Sequence, residues 1–336
     1  MALVLVAGAM QGGFPLPLKF TKAWEWENIW LASSALGLVI FPWLIAAWTI
    51  PDLTAVLGAT SLRAVLVVFL FGAGWGIGGL LFGLGVHRVG LSLTFGIVIG
   101  LTSAFGSVLP LILFHPERLR ELVGILVVVS VLATFVGLWF CALAGFHRER
   151  QLNDRKPNPK IRRFRRGSYR AGVVICIFSG LLSPLFNFAL ICGEPLIQAA
   201  TNHGARQVDA PNLIWAVAMT GGLVPTMAYC GYLMKRNGTW SRFCLSGQSH
   251  DMLLALSMGA LFAWGNSAYG MGAEHLGALG PILGWPVFMA FQVITGNVLA
   301  FATGEWRGSG RPAMWYMAVG NAALIVAVFM IAPAGG

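Results

Sequence analysis

GAGWGIGGLLFGLGVHRVG at residues 72–90 lies without a gap over GALFAWGNSAYGMGAEHLG at residues 259–277. In this register Gly72, Ala73, Gly78, Gly83, Gly85 and Gly90 meet Gly259, Ala260, Gly265, Gly270, Gly272 and Gly277, and Phe82 meets Tyr269. A constant shift of 187 residues within a chain of 336 predicts an internal duplication. If five membrane spans separate the copies, an odd number, equivalent helices cross the bilayer from opposite sides. That is the geometry of an inverted repeat, in which one central site is reached alternately from either face.

The remaining sequence supplies the spans. Apolar residues make up 57% and charged residues 10% of the chain, and the mean hydropathy is +0.76. This is too little polar surface to cover a soluble globule. A hydrocarbon layer of roughly 30 Å takes about 20 helical residues. Continuous apolar runs of that length fall near residues 2–20, 28–50, 65–86, 91–113, 119–144, 169–192, 211–234, 252–273, 278–303 and 313–333. A transmembrane barrel would need short alternating segments, which these are not. The sequence therefore reads as an all-α polytopic membrane protein with ten transmembrane helices. It divides into two inverted five-helix repeats, 1–144 and 169–336, joined by a basic linker at 145–168.

Lys and Arg set the orientation. Alternate loops carry 18 against 4 of these residues, and the basic set includes ten between 145 and 170. Basic loops stay on the cytoplasmic side, so the linker is expected there and both termini outside. The first segment has no basic start and contains Gln11, Pro15 and Pro17. It reads as a retained span rather than a cleaved signal. The linker HRERQLNDRKPNPKIRRFRRGSYR, residues 147–170, has the charge to attract nucleic acid or anionic lipid. Its simpler reading is a solvated connection that holds orientation, with lipid as a partner and no nucleic acid.

Cys141, Cys176, Cys192, Cys230 and Cys244 show no paired spacing, and the six histidines are scattered near helix ends. Neither disulfide framework nor metal site is expected, and no cofactor. Glycines four apart, such as Gly72 and Gly76, suit close helix packing. Prolines within spans, among them Pro15, Pro110, Pro184, Pro225 and Pro286, free carbonyls that need another partner.

Polar side chains at mid-span depth mark a candidate site. Gln11, Thr102, Ser103, Asn187, Asn266, Tyr269, Gln292 and Asn297 supply amides and hydroxyls, and Trp75 and Trp264 supply indoles deeper than an interfacial belt. A sugar is recognised by such a set, because its hydroxyls both donate and accept while its ring has an apolar side. Each residue has a competing reading as a hydrogen bond between helices. For proton coupling the need is a carboxylate whose charge is neutralised as it moves. Glu194, in NFALICGEPLIQAA, is the first candidate, with a solvated helix cap as its plain alternative. Glu25, Glu27 and Glu305 read as solvated helix ends, Asp251 as the start of the eighth helix, and Glu274 with His275 as its outer turn.

WGIGGLLFGLGVHRVGLSL at 75–93 and GLTSAFGSVLPLI at 100–112 resemble the L-rhamnose–proton symporter family of the drug/metabolite transporter superfamily. PLKFTKAWEWENIW at 17–30 and GEWRGSGRP at 304–312 add to the likeness, which spans the chain. The likeness is weakest at 187–198 and at AWGNSAYG, 263–270. The resemblance implies import of a deoxysugar with protons across a bacterial inner membrane. It assigns no binding residue. Two other readings stay open: an exporter of metabolites or drugs, and an intramembrane enzyme. The enzyme would need facing carboxylates, a nucleophile or a metal cluster, none of which the sequence displays.

Overall fold

The computed structural model describes residues 1–155, 169–244 and 248–331. Every regular element among them is helical. In chain order these are α1 (Ala2–Gly13), a 3-10 turn (Leu16–Phe20), α2 (Trp26–Ala35), α3 (Phe41–Thr49), α4 (Leu53–Ala59), α5 (Leu62–Val89), α6 (Leu91–Phe114) and α7 (Leu122–Arg155). There follow α8 (Tyr169–Leu182), α9 (Leu185–Cys192), α10 (Glu194–Asn202), α11 (Pro211–Asn237), α12 (Gln248–His275), α13 (Gly280–Ala302) and α14 (Arg311–Ile331). Residues 156–168 of the basic linker lie outside the described residues.

Nine rods among the described residues are long and apolar enough to cross a bilayer, which makes the chain a polytopic helical membrane protein. They match the expected spans except the eighth. That stretch is α12, a helix of 28 residues, and it is not among the nine. Its length suffices, but Asn266, Ser267, Tyr269, Asp251 and Glu274 dilute its hydropathy.

Local chemistry sets the helix boundaries. Gly12, Gly13 and Pro15 end α1, and the chain tightens into a 3-10 turn. Pro184 lacks an N–H and divides α8 from α9. The turns after α5 and α12 are made by Gly90 at φ 92° and Gly277 at φ 74°, a left-handed backbone that glycine adopts without strain. These two glycines are partners in the 187-residue register.

Packing divides the chain into two compact units, each drawing on both halves of the sequence. One unit comprises Met1–Ile77 and Leu185–Pro281. Here α1 and α2 pack on α12, and α2 and α3 on α11. Glycine permits the crossings. A methyl built on Gly72 would stand 1.7 Å from the Ala218 carbonyl oxygen, and one on Gly37 would stand 2.9 Å from the Gly259 Cα. Gly72 and Gly259 are again register partners, and each meets a helix backbone of this unit.

The other unit comprises Gly78–Pro184 and Ile282–Gly336. Its longest packing runs between α7 and α14. A methyl on Gly137 would press on Leu324, and one on Gly320 on Cys141. Ser130 donates to the Ala327 carbonyl at 2.8 Å, fixing the same pair of helices. α6 lies against α7 through Gly100 and Phe135, and against α13 where Gly106 accepts the Trp285 indole on its bare face.

Candidate functional site

The centre of the first unit is a run of aromatic rings. Trp75 of α5 stacks on Phe262 of α12, with centroids 5.9 Å apart and planes at 28°. These two residues occupy the same position in the 187-residue register. Trp75 continues to Phe186 at 4.6 Å and Phe186 to Trp215 at 4.7 Å. Phe262 continues to Phe14 at 5.2 Å and Phe14 to Trp30 at 6.3 Å. The contacts therefore recur in exchanged form: Phe14 on Phe262 answers Phe186 on Trp75, and Trp30 answers Trp215. Each ring contributes packing beyond its buried area when tilted or offset in this way, about 0.5–1.5 kcal/mol per pair.

Amides and hydroxyls border these rings. Gln11 and Asn266 both donate to the Phe262 carbonyl, at 3.1 and 2.8 Å. Tyr269 is fully buried and donates to Asn187 Oδ1 at 2.7 Å, and Asn187 Nδ2 donates to the Pro281 carbonyl at 3.1 Å. Ser267 donates to Asn212, which donates to Thr49. Thus five of the expected residues, Gln11, Trp75, Asn187, Asn266 and Tyr269, gather in one unit around Trp75 and Phe262. Trp264 does not join them. It is 43% exposed and meets Trp48 edge-on at 6.2 Å, because its place on α12 points away from the ring stack.

The second unit holds Thr102, Ser103, Gln292 and Asn297. Asn297 donates to Asn321 of α14 at 3.1 Å, a hydrogen bond between helices. Gln292 is partly buried. Thr102, Ser103 and Ser107 are buried on α6, and their hydroxyls are unpartnered. This is unusual for the molecule: Thr49, Thr94, Thr134, Ser183, Thr220 and Thr226 each donate to the carbonyl four residues back. Beside them the Trp285 indole donates to the Thr102 carbonyl at 2.9 Å. A flat apolar ring next to unspent hydroxyls is chemistry suited to a polyhydroxylated ligand. Every side chain named around Trp75 and Trp285 is uncharged at neutral pH, which suits a neutral solute.

Sequence reasoning missed Phe14, Phe186, Trp215, Phe262, Ser107 and Trp285. Phe262 had a visible signal, since the repeat register sets it opposite Trp75. Ser107 follows Ser103 by one helical turn.

The sequence model of the family described as L-rhamnose-proton symport protein (RhaT) matches residues 1–334. The chain belongs to this family. Curated relatives named L-rhamnose-proton symporter from Shigella sonnei (strain Ss046) and Shigella flexneri are each 28% identical over 334 residues, covering 97% of this chain and 95% of theirs. One of the same name from Escherichia coli O1:K1 / APEC matches to the same extent.

In this RhaT-family chain two buried carboxylates, Asp251 and Glu27, lie at helix starts. Asp251 is fully buried where α12 begins. Its carboxylate accepts the backbone N–H groups of Lys22, Ala23 and Trp24 at 3.0, 2.7 and 2.8 Å, and lies 3.1 Å from His250 Nδ1. Burial alone would raise its pKa, but these hydrogen bonds prevail and hold it at about 2. It ties the 3-10 turn and the start of α2 to α12, which is more than a helix starter. Glu27 also departs from expectation. It is buried and accepts from Asn237 and Thr239, both at 2.9 Å, so it fastens α2 to the end of α11.

At the opposite end of α12, Glu274 is half-buried and accepts from Gln207 Nε2 at 3.1 Å. Burial, with the negative charge of Glu194, pushes its carboxyl above the ordinary range against the pull of Gln207 and His275. Glu194 itself begins α10, is exposed, and accepts from Gln198 at 3.2 Å.

Proposed function

We propose that this protein imports a 6-deoxyhexose, L-rhamnose or a close relative, together with protons by alternating access. The observation that carries the reading is the match to the RhaT family over nearly the whole chain. The relatives' name supplies both sugar and proton. The inner membrane of a bacterium is the setting, with both termini outside and 145–168 in the cytoplasm by the distribution of Lys and Arg.

The mechanism rests on ten spans in two inverted five-helix halves. The exchanged aromatic contacts support it, as do Gly90 with Gly277 and Gly72 with Gly259, because a two-fold relation turns a contact between residue i and the mate of j into one between j and the mate of i. With equivalents five spans apart, that axis lies in the membrane plane. The division of α8 from α9 at Pro184 and of α1 from its 3-10 turn at Pro15 puts broken helices in both halves, a recurrent source of backbone carbonyls for solutes.

In this account Gln11, Asn187, Asn266 and Tyr269 offer amides and hydroxyls to a sugar beside Trp75 in the first unit, and Thr102, Ser103, Gln292 and Asn297 offer the same groups in the second. The unpartnered hydroxyls of α6 support the assignment most strongly, since an unmet polar group in hydrocarbon costs free energy that a bound sugar hydroxyl recovers. Uptake of labelled L-rhamnose into proteoliposomes tests the function. Accumulation that follows an inward acid gradient and collapses with a protonophore is the expected result. Flux indifferent to the gradient would remove symport, and no flux of any deoxyhexose would remove the substrate class.

A further inference from the structure

We infer that Glu274 is the carboxyl that takes up and returns the coupling proton, at the end of α12 which the basic-residue count places outside. This rests on the symport reading above and names the group that reading needs.

Glu274 stands just past the apolar stretch 252–273, half in protein and half towards water. Its hydrogen-bond partner is an amide, Gln207. Glu194 and Glu27 also accept from amides, Gln198 and Asn237, but Glu194 is exposed and Glu27 is buried with a second donor, Thr239. An amide serves both protonation states, donating through its NH2 to a carboxylate and accepting through its carbonyl from the acid. A guanidinium serves only the ionised form. Arg206 holds Asp209, and Arg118 holds Glu121 at 2.8 Å, so those carboxylates face guanidinium partners. Asp251, at the other end of the same helix, accepts from three backbone N–H groups, which can only donate. It is fixed as an anion.

The groups around Glu274 are Glu194 from α10, Gln207 from the connection to α11 beside the Arg206–Asp209 pair, and His275 on its own helix, whose Nδ1 lies 2.7 Å from the Met271 carbonyl. His203, at the end of α10, is engaged with the Ala199 carbonyl at 2.8 Å. Burial and the negative charge of Glu194 both favour the neutral acid. Proton binding converts the carboxylate to a carboxylic acid and removes the one charge that would oppose movement of this helix end towards hydrocarbon. Loss of the proton restores it. Glu194, exposed and one charge removed, tunes this equilibrium.

Glu274→Gln in the full chain, reconstituted in proteoliposomes with labelled L-rhamnose, tests the assignment. Acid-driven accumulation should fall about tenfold or more, while exchange of labelled for unlabelled sugar at equal pH stays within about twofold. Gradient-driven accumulation equal to that of the unaltered protein would overturn it. If the variant loses exchange as well, Glu194→Gln decides. Removing that negative charge lets Glu274 give up its proton more easily, so the alkaline limb of the uptake profile should move to lower pH. A limb that stays or moves upward removes Glu274 from the role. Failure of the unaltered protein to respond to any gradient takes down the symport reading itself, whereas loss of the Glu274 effect alone leaves that reading standing.

Discussion

α5 and α12 occupy the same place in the internal register, yet they have diverged in opposite directions. Both keep the glycines at which they cross neighbouring backbones, Gly72 and Gly259 foremost. Their chemistry differs. Where α12 has Asp251, Asn266, Ser267, Tyr269 and Glu274, α5 has Ala64, Gly79, Leu80, Phe82 and His87. Asp251 and Tyr269 are fully buried and hydrogen-bonded across to other elements. The comparison teaches that packing and polar chemistry are separable: both helices carry glycines where they cross neighbouring backbones, and the buried Asp251 and Tyr269 belong to α12 alone. The same divergence explains why α12 is too polar to rank among the apolar rods.

That contrast can be broken most forcefully at the shared feature. Gly72→Val places a branched side chain against the Ala218 backbone, where even a methyl would meet the carbonyl oxygen at 1.7 Å. Neither backbone can yield, so a loss of about 3 kcal/mol or more is expected, seen as little monodisperse protein after extraction in detergent. Gly79→Ala, with nothing within 4 Å of the added methyl, should be neutral or stabilising by up to about 1 kcal/mol.

Next in size is Asp251→Ala, which gives α12 the residue α5 carries. It strands three N–H groups, and a cost of about 2–4 kcal/mol is expected in thermal unfolding. The unaltered protein should show the same loss as a function of pH. Because the folded pKa lies below the ordinary 3.8 at about 2, the stabilisation is present in full above pH 4 and disappears as pH falls towards 2. Stability unchanged across that window would show that the clasp contributes nothing.

Tyr269→Phe makes the corresponding exchange at the centre. Asn187 Oδ1 loses its donor at 2.7 Å while Nδ2 keeps Pro281. About 1 kcal/mol of stability should be lost, with a several-fold weaker apparent affinity for sugar. The smallest effect belongs to Trp264→Ala. Its indole stands outside the ring stack beside Trp48, so sugar uptake should remain within about twofold, in keeping with an exposed side chain. A tenfold loss would place Trp264 in the site after all.

Much of this molecule was legible in its sequence because lipid leaves the chain few choices. Hydropathy placed the helices, and the glycine register drew attention to α5 and α12 as a pair. Gln11, Asn187 and Tyr269 stood out since polar groups in hydrocarbon require partners. The partners themselves were not legible. Tyr269 with Asn187, or Asn297 with Asn321, depend on the rotation of each helix about its axis, which mean hydropathy does not specify. For the same reason Trp264 looked equivalent to Trp75 although it faces outward, and Phe262, a plain apolar residue, concealed its central place. Glu27 looked solvated, and Asp251 looked like no more than a helix starter, because both sit at helix ends. Burial came from the neighbouring turns folding over them.

The claim on which the mechanism turns is that register partners face opposite sides of the membrane. Arg88 and His275 are such partners, in the last turns of α5 and α12. In a background with the five native cysteines replaced, Arg88→Cys and His275→Cys can be labelled in intact right-side-out cells with a membrane-impermeant thiol reagent. The account predicts labelling of position 275 in sealed cells and of position 88 only after permeabilisation. Equal access to both positions from one side would contradict it.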